Sequence, residues 1–147
     1  MVTIRVYGEP KGQPRPRACV RGKHAGVYDP GTANTWKGLV AEALMRSEPR
    51  IRRDDGPIKL DLLFLMPRPQ RLLRKSSPPY RVPYVGKPDL DNLAKAVLDV
   101  MTSMGVWSDD AQVVEGYWSK YYTTATEQPG CVIQWRAAAY DEAGEDK

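Results

Sequence analysis

Cysteine, histidine and long apolar runs are scarce in this sequence, and each scarcity excludes a class of protein. The two cysteines, Cys19 and Cys131, lie far apart and outside any C-x-x-C pattern, which argues against a disulfide framework and a zinc site. The lone histidine, His24, lies in a basic segment and is predicted to be a surface residue. No apolar run approaches the roughly 18 to 20 residues of a membrane span, and the N-terminus lacks the apolar block of a secretion signal. We therefore expect a soluble, cytoplasmic protein.

The chain has the size of a single domain. Its 147 residues, 41% of them hydrophobic, suit one globular unit with a modest core. We expect this domain to span residues 1–136. Residues 137–147 are small and acidic, which predicts a disordered tail.

The net charge of +4 is distributed unevenly. The first 25 residues carry six basic residues against Glu9 alone, and residues 67–87 carry six more with no acid. From residue 88 to residue 115 the sign reverses, and Lys95 alone opposes six acidic residues, namely Asp89, Asp91, Asp99, Asp109, Asp110 and Glu115. Cations that hold a phosphate backbone, beside carboxylates that hold a divalent metal, are what a metal-dependent nuclease requires. On composition alone, the alternative is that these charges are merely solvated surface.

Hydrophobic periodicity predicts four strands and two helices in the order β-α-β-α-β-β. The strands are predicted at residues 2–7, 58–66, 113–122 and 131–136, and the helices from after Thr32 to about Arg46 and from Asp89 to Gly105. The 58–66 strand is apolar on both faces, so we expect it to be central in the sheet. We expect the last two strands to form an antiparallel hairpin. The predicted fold class is α+β, a single small domain whose mixed sheet carries two packed helices.

Two Pro-rich segments are predicted to be loops. Pro10–Arg17 holds three prolines within seven residues and should form an exposed basic arm, the alternative being a polyproline ligand for a partner domain. Pro67–Lys87 holds five prolines and no periodicity, and so long a loop is usually functional or disordered. We expect the two loops to supply DNA contacts through Lys11, Arg15, Arg17, Arg74 and Lys75.

The start of the second predicted helix concentrates chemically useful groups. Asp89 and Asp91 place two carboxylates on one side of the segment that enters the helix, and Lys95 lies four residues after Asp91 on the same helix face. The helix N-terminus adds free N–H groups that suit a phosphate. Asp109-Asp110 lies one helix and one turn later. The alternative is that Asp89 is an N-cap, Asp91 and Lys95 form an exposed ion pair, and Asp109-Asp110 is a turn.

Two stretches of this region resemble the signature of the RusA Holliday-junction resolvases, in particular their phage and prophage members. Residues 87–99 read KPDLDNLAKAVLD, and residues 105–113 read GVWSDDAQV. The basic arm, the VYDP sequence at 27–30 and the FLMPRP sequence at 64–69 also resemble family features. The resemblance extends from residue 2 to about residue 136, apart from the middle of the Pro-rich loop.

The resemblance implies roles for individual residues. Asp89 and Asp91 match the first two catalytic aspartates of the family, Asp110 the third, Lys95 the essential lysine, and Lys87 a basic residue before the motif. Adjacent side chains diverge in an extended segment, so only one residue of the Asp109-Asp110 pair should face a metal. We expect Asp110 to be that residue.

Hard oxygen ligands favour Mg²⁺, with Mn²⁺ as a substitute, over zinc. The metal held by Asp89, Asp91 and Asp110 would lower the pKa of a bound water, and Lys95 would steady the phosphate or that water. The expected substrate is a four-way DNA junction in a phage or bacterial context, and the expected working form is a homodimer with two active sites. Two alternatives remain open: a broader nuclease for forks and flaps, and a non-catalytic DNA-binding module.

Overall fold

The computed structural model describes residues 1–28, 31–47 and 50–140, together with every side chain in them except those of Arg17 and Tyr28. The larger sheet has six strands and the smaller one is a two-stranded hairpin. The strands are β1 (Val2–Tyr7), β2 (Arg17–Arg21), β3 (His24–Tyr28), β4 (Ile58–Met66), β5 (Val82–Pro83), β6 (Val113–Glu115), β7 (Trp118–Tyr122) and β8 (Gly130–Ala137), and the helices are α1 (Asn34–Met45) and α2 (Leu90–Ser103). The predicted α+β class with two helices is confirmed. Most of the predicted acidic tail, residues 141–147, lies outside the described residues.

The central strand of the large sheet is β4, as its two apolar faces predicted. The strand order is β1-β8-β4-β7-β5, and β6 also pairs with β4. Strand β8 runs antiparallel to both β1 and β4, whereas β7 runs parallel to β4. Because α2 lies between β4 and β7 in the chain, these strands form a parallel crossover unit.

The predicted hairpin between the last two strands is wrong. Strand β4 lies between β7 and β8 and pairs with both, because its apolar side chains on both faces are buried only in the middle of the sheet. The predicted 113–122 strand is also broken, at Gly116 and Tyr117. A Cβ at Gly116 would lie 1.9 Å from the Leu60 carbonyl oxygen, so only glycine allows this close approach to β4.

The hairpin formed by β2 and β3 was not predicted. Arg21 pairs with His24 across a two-residue turn, and Gly22 adopts a φ of 62° there. Val20 and Val27 are both more than 70% exposed. Because hydrophobic burial contributes so little to this hairpin, the periodicity of core positions could not reveal it.

One core fills the space between the sheet and the helices. Trp36, Val40 and Leu44 from α1 meet the alternating buried residues of β4, which include Leu60 and Phe64. Helix α2 buries a broad face that includes Leu93, Ala96 and Val100, because it packs against both the sheet and α1. Neither of the two described helices combines the length and apolarity needed to cross a membrane.

The long Pro67–Lys87 loop is ordered by two arginines. The guanidinium of Arg68 donates to the carbonyl oxygens of Leu72, Thr123 and Pro78. Arg81 forms a double hydrogen bond with the Glu127 carboxylate, which raises the pKa of Arg81 and lowers that of Glu127. The loop is therefore fastened to the turn that follows β7.

Candidate active site

Asp89 occupies the N-cap position of α2, yet its side chain does not cap the helix. Its two carboxylate oxygens instead accept hydrogen bonds from the Lys87 ammonium at 2.9 and 3.0 Å. Asp91 lies in the first helical turn and is exposed, and its carboxylate accepts from the backbone N–H of Asn92. Both carboxylates are therefore accessible at the start of α2.

Lys95 connects α2 with the segment that follows it. Its ammonium lies 3.0 Å from a carboxylate oxygen of Asp110 and 3.0 Å from one of Asp99. The alternative of an exposed Asp91–Lys95 ion pair is not what the structure shows, because the Lys95 ammonium contacts Asp99 and Asp110. The contact brings Asp110, which follows α2 in the chain, back to the first half of that helix.

Asp109 and Asp110 face different surroundings. Asp109 is the N-cap of a short 3₁₀ turn, Asp110–Gln112, and its side chain accepts from the N–H of Ala111. Gln112 completes the capping box and donates to the carbonyl oxygens of Asp54 and Gly56, which anchors the turn beside the start of β4. Asp109 thus holds the turn in place, and Asp110 is the residue of the pair that reaches Lys95.

Two lysines lower the pKa of two carboxylates, those of Asp89 and Asp110. The hydrogen bond from Lys87 holds the pKa of Asp89 below its ordinary value, and the hydrogen bond from Lys95 does the same for the pKa of Asp110. The hydrogen bond from Lys95 to Asp99, and to a lesser extent the one to Asp110, raises the pKa of Lys95. At neutral pH the site therefore presents charged carboxylates next to charged ammonium groups.

Comparison with known proteins assigns the family. A family model described as endodeoxyribonuclease RusA matches residues 7–134, which include every residue of this site. The chain belongs to the RusA endodeoxyribonuclease family. The family consists of divalent-metal-dependent nucleases that bind branched DNA and resolve Holliday junctions. The chain is also similar to the uncharacterized protein YqaN of Bacillus subtilis (strain 168), with 29% identity over 140 residues that cover 92% of this chain and 95% of the relative.

In this RusA chain the basic arm runs along the first turn of α2. The N–H of Gln13 donates to the carbonyl oxygen of Asn92 at 2.8 Å. A Cβ at Gly12 would lie 2.9 Å from the Pro88 side chain, so the arm approaches the helix start very closely. Arg15 and Asp89 line one cleft here. The arm therefore borders the candidate site, although sequence analysis left its position open.

In the structure, the basic residues of the arm and of the Pro-rich loop differ in their contacts. Arg68 and Arg81 hold the Pro-rich loop, and Arg71 stacks its guanidinium over the Tyr122 ring at 5.7 Å. The side chains of Arg15, Arg74 and Lys75 are exposed and make no hydrogen bond or ion pair with other described residues. Two other predicted DNA-binding lysines form ion pairs, Lys11 with Glu9 and Lys87 with Asp89. The side chain of Arg17 lies outside the described part of the chain.

Sequence reasoning missed one residue that fixes the entry to α2. The ammonium of Lys120, on β7, donates to the carbonyl oxygens of Gly86 and Pro88 at 2.7 and 2.9 Å and lies 5.1 Å from the centre of the Tyr84 ring. These bonds hold the backbone immediately before Asp89. Because Lys120 is 33 residues from Lys87 in sequence, no local pattern connects the two.

Family membership implies a divalent metal, and the donor chemistry fits one. Asp89, Asp91 and Asp110 offer the hard carboxylate oxygens that such ions bind. In the described residues no group of three or more His, Cys, Asp or Glu side chains is close enough together to hold an ion. Asp89 and Asp110 instead form ion pairs with Lys87 and Lys95. A metal would have to displace these ammonium groups from the carboxylates.

Proposed function

We propose that this chain is a Mg²⁺-dependent endodeoxyribonuclease that resolves Holliday junctions by paired, symmetric nicks. The observation that carries the proposal is the 3.0 Å contact between Lys95 and Asp110. It links two residues that are 15 positions apart in the chain, one from each motif segment, and leaves Asp109 outside the site.

Each residue of the site then has a chemical role. Asp89, Asp91 and Asp110 would hold the metal, which when bound supplies a water of lowered pKa and neutralises charge on the leaving oxygen. Lys95 contacts Asp110 of this set and would orient the scissile phosphate or the attacking water. Lys87, 85% exposed, can turn from Asp89 to a phosphate of the DNA backbone.

The test is a side-by-side cleavage assay on synthetic four-way junctions, forks and flaps with Mg²⁺ and, separately, Mn²⁺. The proposal expects Mg²⁺-dependent nicks at symmetric positions in the four-way junction, and no nicks with Asp91→Asn. Equal cleavage of forks and flaps would favour the broader branched-DNA nuclease. Junction binding without nicking in either metal would favour the non-catalytic module.

The unpaired loop cations are expected to supply affinity rather than chemistry. Replacing Arg15, Arg74 and Lys75 together by glutamine should flatten the dependence of log Kd on log salt by about one unit for each phosphate that the variant no longer binds. The measurement is fluorescence anisotropy of a labelled junction at several salt concentrations without metal. Arg46→Gln is the matched control, because Arg46 already pairs with Glu42 on α1. An unchanged slope in the triple variant would show that these charges face solvent in the complex.

The working form is expected to be a homodimer, because a four-way junction needs matched nicks on opposed strands and each chain carries one carboxylate set. The sheet face opposite the helices supports this expectation, since Leu63, Tyr117, Tyr121 and Val132 line an open groove there. Trp107, by contrast, is 1% exposed and belongs to the core.

Light scattering should therefore give about twice the chain mass of 16.5 kDa. A supercoiled cruciform plasmid should become linear within one binding event. A monomeric mass with accumulation of singly nicked circles would contradict the paired-site model and leave the nuclease chemistry standing.

A further inference from the structure

Asp99 lies one helical turn after Lys95 on α2, and its two carboxylate oxygens bind two different lysines. Oδ1 lies 3.0 Å from the Lys95 ammonium, and Oδ2 lies 3.7 Å from the ammonium of Lys37 on α1. The Asp99 side chain is 32% exposed, so water screens these contacts only in part. Asp99 thus joins the two helices through a pair of ammonium groups, one of which belongs to the candidate site.

Lys95 therefore lies between two carboxylates, Asp110 and Asp99, that have different proposed roles. Asp110 is one of the three proposed metal ligands, whereas Asp99 is not. When a dication binds at Asp110, it attracts that carboxylate and repels the Lys95 ammonium. Asp99 is then the anion that keeps Lys95 from turning away into solvent. Lys37 limits the movement of Asp99 in turn, because it holds the second oxygen from the neighbouring helix.

We infer that Asp99 is a positioning residue for cleavage, which acts by holding Lys95 at the site while Asp110 binds metal. This inference rests on the proposed nuclease function. Asp99 touches neither the phosphate nor the metal in this role, so its removal should slow the cutting step and leave the binding of DNA and metal unchanged. Lys37 has a lesser role of the same kind, because it contacts Asp99 and not Lys95.

The decisive experiment is single-turnover cleavage of a four-way junction by Asp99→Asn. The rate should fall roughly 10- to 100-fold, as expected when a catalytic group loses its outer partner. The junction concentration and the Mg²⁺ concentration that give half-maximal rate should stay at their wild-type values. Glu115→Gln is the matched control, because it neutralises a carboxylate that pairs with Lys59 at 2.8 Å on the sheet. It should cut at the wild-type rate.

A double-variant comparison separates positioning from general structural damage. If Asp99 acts through Lys95, then Asp99→Asn should cause no further loss of rate in the Lys95→Met background. An additional loss there, or a wild-type rate for Asp99→Asn alone, would overturn the inference. Should Asp99→Asn fail to fold, as judged by its thermal unfolding, Lys37→Met decides the matter: a rate several-fold below wild type supports the inference, and a wild-type rate overturns it.

A measurement without metal or DNA tests the contact itself. Reductive methylation with ¹³C-formaldehyde gives each lysine an NMR resonance, and that of Lys95 is identified by its absence in Lys95→Arg. It should shift in Asp99→Asn and not in Glu115→Gln. An unmoved resonance would contradict the Asp99–Lys95 contact. A wild-type protein that cuts no junction in Mg²⁺ or Mn²⁺ would instead defeat the proposed function, and the positioning role with it.

Discussion

Asp91→Asn is expected to abolish cleavage of a four-way junction, with a loss in single-turnover rate on the order of a thousandfold or more. Asp89→Asn and Asp110→Asn should have the same effect, because each removes one charged oxygen from the proposed metal site. Junction binding should stay intact or become tighter, since each change also removes a negative charge near the phosphates. Lys95→Ala should reduce the rate at least roughly a hundredfold, because it removes the cation proposed to orient the phosphate or the attacking water.

The matched control is Asp109→Asn. Asparagine caps a helical turn about as well as aspartate, so the short turn at Asp110 should keep its position and most of the activity should remain. Gel assays of cleavage and anisotropy assays of binding measure both quantities on the same junction. Near wild-type cutting by any one of the Asp89, Asp91 or Asp110 variants would remove that residue from the catalytic set. A complete loss with Asp109→Asn would reverse the assignment within the adjacent pair.

Trp107→Ala is expected to lower the free energy of unfolding by about 3–5 kcal/mol. The Trp107 side chain is 1% exposed, and its indole N–H donates to the Thr102 hydroxyl at 2.8 Å. Its backbone also forms a bridge with Asp54, beside the turn that carries Asp110. The substitution therefore leaves a large cavity and removes one hydrogen bond to the Thr102 hydroxyl, which still donates to the Leu98 carbonyl oxygen. Thermal unfolding followed by circular dichroism should show a fall in Tm of roughly 10 °C.

Tyr117→Ala is the corresponding control, because Tyr117 is aromatic but 69% exposed. Its effect on the unfolding of the monomer should stay within about 0.5 kcal/mol. A similar fall in Tm for both variants would show that Tyr117 is covered in the working protein, as a dimer through the open sheet face requires. A wild-type Tm for Trp107→Ala would contradict its place in the core.

The elements that bury a regular apolar pattern could be predicted from the sequence. Strand β1 has the predicted bounds, β4 is central because both of its faces are apolar, and α2 begins directly after Asp89. The pairing of β8 with β4 could not be predicted, because a strand's own pattern does not say which neighbour covers it. The β2–β3 hairpin could not be predicted for a different reason, because it contributes almost nothing to the core.

The candidate site was predictable where its residues are close in sequence. Asp89, Asp91 and Lys95 lie within two turns of one helix, and the resemblance to RusA resolvases extended the set to Asp110. The roles of Asp99 and Lys120 were not predictable, because each depends on a contact between elements. Asp99 meets Lys37 only where α1 crosses α2, and Lys120 reaches Pro88 only because β7 returns beside β4. Their residue types are also those of ordinary solvated surface charges.

The position of β8 makes the large sheet depend on the last strand of the chain. Strand β8 lies between β1 and β4, so these two strands have no direct pairing with each other. A nascent chain that has emerged from the ribosome only as far as residue 112 already contains every proposed catalytic residue. It still lacks the strand that joins the two halves of the sheet beneath α2. The sheet that supports α2 is therefore complete only once residues 130–137 have been synthesised.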